Sequence, residues 1–85
     1  MLTIKYFTAS WCGPCKAFGP VFDQVMSETG TNYQKIDADD NREILTQYGV
    51  SSVPTIVFEV SNEVVFRQTG VMSRGQLIST IQRFS

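Results

Sequence analysis

Cys12 and Cys15 are the only cysteines in this 85-residue sequence, and Gly13 and Pro14 are all that separates them. A thiolate attacks a disulfide, and a second thiol within reach can displace the mixed disulfide that forms. Two thiols at this spacing, where a strand gives way to a helix, suit that exchange. At the helix N-terminus Cys12 would face unpaired N–H groups and the positive end of the helix dipole. Both favour the sulfur anion and draw its pKa from the ordinary thiol range toward neutrality. Cys15, one turn further in, is expected to be the less exposed of the two. The plainer alternative is a structural disulfide or two inert thiols.

The totals narrow the class. A chain of 85 residues is expected to form one domain, residues 1–85, with a single modest core. Hydrophobic residues at 42% argue for a folded chain. A net charge of −1 gives no electrostatic case for nucleic acid or an anionic membrane. With no His and only two Cys, one chain cannot build a closed zinc site from soft ligands. No apolar run is long enough to span a bilayer, and Met1 leads directly into strand-like sequence with no leader pattern. A cytoplasmic location is therefore expected. In a reducing compartment a close cysteine pair points to catalysis or metal, not to a permanent staple.

The elements that must position the pair can be read from periodicity. Leu2 to Thr8 alternates as a strand, with Leu2, Ile4 and Tyr6 on one face and Thr3, Lys5 and Phe7 on the other. Ala9-Ser10-Trp11 is a short loop that carries the indole to the surface. A helix is expected from about Gly13 to Thr29, striped by Phe18, Phe22, Val25 and Met26. Pro14 fits its first turn, Pro20 should kink it, and Gly30 should cap it. Thr31 to Asp37 reads as a polar edge strand. A short helix from about Asn41 to Tyr48 follows, with Asp39 or Asp40 as its cap and Gly49 at its end. Val53-Pro54-Thr55 opens a third strand through about Val60. Ser61-Asn62 is a two-residue hairpin turn into Glu63 to Thr69. Ser73 and Gln76 have capping-box spacing before a helix striped by Leu77, Ile78, Ile81 and Phe84.

The element order is thus β-α-β-α-β-β-α, an α/β fold whose first βαβ unit is parallel and whose last hairpin is antiparallel. Trp-Cys-Gly-Pro-Cys-Lys from Trp11 to Lys16 resembles the active-site signature of thioredoxins, and the similarity runs through essentially the whole chain. Pro20 resembles that family's helix-kinking proline. Val53-Pro54-Thr55 resembles the loop whose proline is cis and lies beside the sulfurs. Gly70 resembles the glycine that lets a substrate chain lie close, and Lys35 the lysine below the site. The resemblance implies a mixed four-stranded sheet in the order 2-1-3-4 with helices on both faces. It implies Cys12 as nucleophile and Cys15 as resolving thiol. It also implies a substrate-binding collar of Trp11, Val53, Pro54, Thr69, Gly70 and Val71.

Two departures stand out. The family usually begins with a further strand and helix, so this looks like a compact version similar to those of some phages and archaea. The face bearing the short middle helix would then lose a neighbour, which fits Thr3 and Lys5 there. The family also has an Asp six positions before the first cysteine, and Tyr6 stands there. Tyrosine is a poor base near neutrality, so the proton of Cys15 should pass to water or to the Cys12 environment. Lys35 would then lack its usual carboxylate partner and could act on a thiol directly.

The expected function is reduction of disulfides in protein substrates, with ribonucleotide reductase as one client by family analogy. A thioredoxin reductase is expected upstream, with no cofactor bound to the domain and a monomeric state. The alternatives are a glutaredoxin-like protein fed by glutathione, a binding module holding a partner through the same surface, and a metal or iron–sulfur site bridging two chains. Trp11 and the Gly-Pro pair speak against the glutathione-fed reading.

Overall fold

A computed structural model describes residues 1–85. In chain order the elements are β1 (Leu2–Thr8), α1 (Gly13–Thr29), β2 (Asn32–Asp37), α2 (Arg42–Tyr48), β3 (Thr55–Val60), β4 (Glu63–Thr69) and α3 (Arg74–Phe84). The four strands form one sheet in the order β2-β1-β3-β4. β1 pairs parallel with β2 and antiparallel with β3, and β3 pairs antiparallel with β4. The polar β2 is an edge strand, as its composition suggested.

Local sequence explains the boundaries. Gly30 and Gly49 both take the left-handed conformation that ends a helix, at φ 64° and 66°. At Gly49 the closure is a Schellman motif, with Gly49 N–H on the Thr46 carbonyl and Val50 N–H on the Leu45 carbonyl. Ser61 and Asn62 both have positive φ, which matches the strand twist in a two-residue hairpin. Ser73 and Gln76 form the full reciprocal capping box.

The expected cap of α2 is corrected. Its N-cap is Asn41, and no side chain caps the helix. The carboxylate of Asp37 instead accepts the Asp39 N–H at 2.8 Å, and Asn41 Nδ2 donates to the Asp37 carbonyl at 2.9 Å. The side chains that could cap are engaged elsewhere: Asn41 in this turn, and the Asp39 carboxylate with the Trp11 indole N–H.

The two faces of the sheet are covered unequally. Leu2, Ile4 and Tyr6 of β1 and Ile56 and Phe58 of β3 point to the α1/α3 side. They join Phe18, Phe22, Val25, Met26, Met72, Leu77 and Ile81 in a core of 12 buried residues. Tyr6, Phe18 and Phe22 meet there at ring-centroid distances of 4.7–6.0 Å. The opposite face holds four buried residues, Phe7, Ile36, Val50 and Val57, beneath Ile44, Leu45 and Tyr48 of α2. Beside this small core the face is polar. Lys5 pairs there with Glu59, whose other oxygen accepts the Tyr48 hydroxyl at 2.8 Å. No helix of the chain is long and apolar enough to cross a membrane.

Candidate active site

β1 ends at Thr8, and Ala9 to Trp11 turn the chain into α1. The Ala38 N–H bonds the Thr8 carbonyl at 2.8 Å and the Cys12 N–H bonds the Ala9 carbonyl at 3.2 Å, so the loop is fixed on both sides. Cys12 is itself the N-cap of α1. Its backbone is extended (φ −86°, ψ 111°) and its Sγ accepts the N–H of Cys15 at 3.2 Å. A sulfur therefore stands where Ser or Asp oxygens usually cap. Pro14 lies in the first turn, where the missing N–H has no partner to lose. Cys12 and Cys15 are joined as a disulfide with their Cα atoms 5.2 Å apart.

The expected contrast in exposure between the sulfurs is absent. In this oxidised pair Cys12 is 4% exposed and Cys15 3%. Ala9 and Ala38 pack around both, with Leu45 and Val53 at the margin. What distinguishes the cysteines is chemical. Only the sulfur of Cys12 accepts a helix N–H, so only there do the leading amide and the helix dipole favour a developing anion.

Val53-Pro54 is a cis peptide bond. It lies where the similarity to the cis-proline loop placed it, and the Val53 carbonyl oxygen is 3.8 Å from Cys12 Sγ. Pro54 is buried, and its carbonyl accepts the Gly70 N–H at 2.8 Å. Gly70 has φ 98°, a conformation that L side chains rarely adopt, and the space above it is open. Trp11 and Val71 are the conspicuous apolar exposures of this end, at 65% and 48%. Thr69 is also exposed. No cavity opens at the disulfide: the concavities of the surface are lined by other residues. The sulfurs lie under open surface flanked by the exposed Trp11 and Val71.

One sequence expectation changes here. Lys35 does not lack a carboxylate: its ammonium pairs with Asp23 of α1, both side chains being partly exposed. Helix α1 passes over the edge strand and brings Asp23 to it, a contact that sequence spacing could not reveal. Tyr6 is buried in the large core, and its hydroxyl donates to the backbone carbonyl of Cys15 at 3.4 Å. The ring thus fills apolar space where the family has a carboxylate, and its polar end is spent on the main chain.

Sequence reasoning missed Asp39. Its carboxylate accepts the Trp11 indole N–H at 2.9 Å and so holds the exposed ring beside the redox loop. The residues lie 28 positions apart, and only the β1/β2 pairing makes them neighbours. It also missed Glu59 as a buried charge. Burial works against the carboxylate, but hydrogen bonds from Lys5 and Tyr48 outweigh it and hold the carboxyl below its ordinary value of 4.5. Burial likewise lowers Lys5, and bonds to Glu59 and Tyr48 reverse this and raise it above 10.5. Tyr48 is raised by burial and by the Glu59 charge. An acidic residue at an inward position of β3, opposite a strand with an inward Lys, was the available signal.

Comparison with known proteins gives a consistent result. The family model described as Thioredoxin matches residues 2–83. A thioredoxin-like protein of Synechocystis is 41% identical over 80 residues, covering 92% of this chain and 76% of that protein. The thioredoxin of Haemophilus influenzae is 37% identical, covering 91% and 74%. Among solved structures, a mutant thioredoxin from Halobacterium salinarum superposes with a TM-score of 0.93 at 32% identity, covering 98% of this chain and 74% of that one.

Proposed function

The chain belongs to the thioredoxin family and is a thiol–disulfide oxidoreductase that reduces protein disulfides; within that activity we propose that Cys12 attacks and Cys15 resolves. The reduced protein carries a Cys12 thiolate. It attacks one sulfur of a substrate disulfide, forms the Cys12–substrate bond and expels the other substrate sulfur as a thiolate. Cys15, after giving up its proton, attacks Cys12 Sγ. The Cys12–Cys15 bond forms, the mixed disulfide breaks, and the second substrate sulfur leaves as a thiolate that takes a proton. Two electrons pass from the protein dithiol to the substrate, and an upstream reductant must restore them.

The observation that carries this assignment is the Cys12 sulfur in the N-cap position, accepting the Cys15 N–H. In the reduced state a sulfur anion there keeps a charge-assisted hydrogen bond. The shallow apolar surround of Trp11, Val53, Pro54, Thr69, Gly70 and Val71 supports recognition of an extended protein segment, with the Val53 backbone pairing to it in the manner of an added strand. Gly13 and Pro14 set the turn between the sulfurs. Tyrosine is a poor base near neutrality, so the Cys15 proton passes to water or to the departing Cys12 environment. A thioredoxin reductase is the proposed electron source and ribonucleotide reductase a client. We also propose a cytoplasmic monomer that binds no cofactor of its own.

The test is insulin disulfide reduction driven in parallel by dithiothreitol, by a thioredoxin reductase and by glutathione. The first two should support turnover. Cys12→Ser should abolish it, and Cys15→Ser should trap a mixed disulfide detectable by mass. Turnover with glutathione alone would move the assignment to a glutathione-fed reductase. Trapping through Cys15 in a Cys12→Ser protein would reverse the two roles.

A further inference from the structure

Arg67 lies on β4 opposite Val57, and its guanidinium reaches the C-terminal end of α2. Nη1 donates to the Tyr48 carbonyl, and Nη2 donates to the Gly49 carbonyl at 2.8 Å. Helix ends leave their last carbonyls without internal donors. Here the Schellman closure serves Leu45 and Thr46, and Arg67 takes over where the chain's own turn stops. Its charge also faces the negative end of the helix dipole. The same helix end is held from the other side, where the Tyr48 hydroxyl donates to Glu59 and Glu59 pairs with Lys5.

The segment leaving this anchored end runs from Val50 to Pro54 and carries Val53 to within 3.8 Å of Cys12 Sγ. At its far end the Gly70 N–H holds the Pro54 carbonyl at 2.8 Å. Both ends of the segment therefore hang on β4 and its exit, one through the Arg67 side chain and one through the Gly70 backbone. A rigid-body change at α2 would move Val53 relative to the sulfurs, and Arg67 opposes it at the backbone from which the segment leaves, beside the Tyr48–Glu59 bond on the other side.

We infer that Arg67 is a positioning residue for protein substrates: by fixing the Tyr48 and Gly49 carbonyls it sets where the Val53 backbone stands beside Cys12. This rests on the reading that Val53 pairs with an extended substrate chain. Arg67 works through main-chain carbonyls and not on either sulfur, so its effect should depend on whether the substrate has a backbone to dock.

The experiment compares wild type, Arg67→Ala and Arg67→Lys on two disulfides, insulin and a small aromatic disulfide with no peptide backbone. The urea unfolding midpoint of each variant fixes conditions under which all are folded. For Arg67→Ala, the insulin-to-small-disulfide ratio of kcat/KM should fall by about fivefold, with the change in KM for insulin. Arg67→Lys keeps the charge but not the planar fork that spans the two carbonyls, and should recover part of the ratio. An unaltered ratio, whether both rates hold or both fall, would overturn the inference. Wild type that reduces neither disulfide would instead sink the functional reading beneath it.

Discussion

The two faces of the sheet solve the same problem with different chemistry. Toward α1 and α3, β1 presents Leu2, Ile4 and Tyr6 to a core of apolar side chains. Toward α2, the same strand presents Thr3, Lys5 and Phe7, and apolar packing stops at Phe7, Ile36, Val50 and Val57. The rest of that face is closed by Lys5, Glu59 and Tyr48. Burial on the first face supplies most of the stability, at roughly 1.5–3 kcal/mol for each large side chain. The second face trades apolar area for hydrogen bonds with fixed partners. The disulfide touches both: Leu45 and Val53 pack against the α2 core and the cysteine cluster, and the hydroxyl of Tyr6, from the larger core, donates to the Cys15 carbonyl. The larger face anchors the helix that carries the sulfurs, and the smaller one positions the loop opposite them.

The hardest test of this contrast is to move a charge to the apolar side. Tyr6→Asp removes a fully buried ring and should cost about 4 kcal/mol, from the cavity and from the buried carboxyl together. Chemical denaturation measures this. A carboxyl so buried has a raised pKa and could accept the Cys15 proton, so the pH profile of mixed-disulfide resolution should also shift. An unshifted profile would put position 6 outside the proton path.

The next test disarms the polar face. Glu59→Ala strands the Lys5 ammonium and the Tyr48 hydroxyl and should cost about 2 kcal/mol. That is less than a fully buried pair would lose, because Lys5 can still reach water. Replacing both partners, Lys5→Met with Glu59→Leu, should restore most of the loss. The pair also leaves a pH signature. Glu59 has a folded pKa below its unfolded value of 4.5, so its contribution is present above that value and is lost as pH falls through the folded one. Lys5 has a folded pKa above 10.5, so its contribution is present below that value and is lost as pH rises through the folded one. Unfolding free energy should therefore fall at both extremes, and the double replacement should flatten both limbs. A double variant as weak as Glu59→Ala alone would mean that the face needs the charges themselves.

The smallest effect concerns Lys35. Its pair with Asp23 is partly exposed, so Lys35→Gln should change stability by no more than about 0.5 kcal/mol. The pH midpoint of Cys12 alkylation should stay where it is in wild type. A moved midpoint would return Lys35 to the redox site.

Much of this molecule was legible in order along the chain. Alternation in Leu2 to Thr8, the helical stripe from Phe18 to Met26, the Ser61-Asn62 turn and the Ser73/Gln76 box are local signals, and each states its own geometry. The Cys12-Gly13-Pro14-Cys15 run likewise carried its chemistry in its spacing. The cap of α2 was misread because Asp37, Asp39, Asp40 and Asn41 all have capping side chains, and local sequence does not rank them. The partners of Lys35, Trp11, Tyr6 and Arg67 were not legible at all.

The strands, the helices, the redox pair and the family follow from amino-acid order, because those depend on residues within a few positions of one another. Folding in three dimensions was needed before Lys5 could meet Glu59, 54 residues away, before Asp39 could hold Trp11, and before Arg67 could tie off α2. Each of these contacts exists only after the sheet has brought distant segments side by side. A charged or hydrogen-bonding side chain reads the same in sequence whether water or a partner will satisfy it, and only packing removes the water.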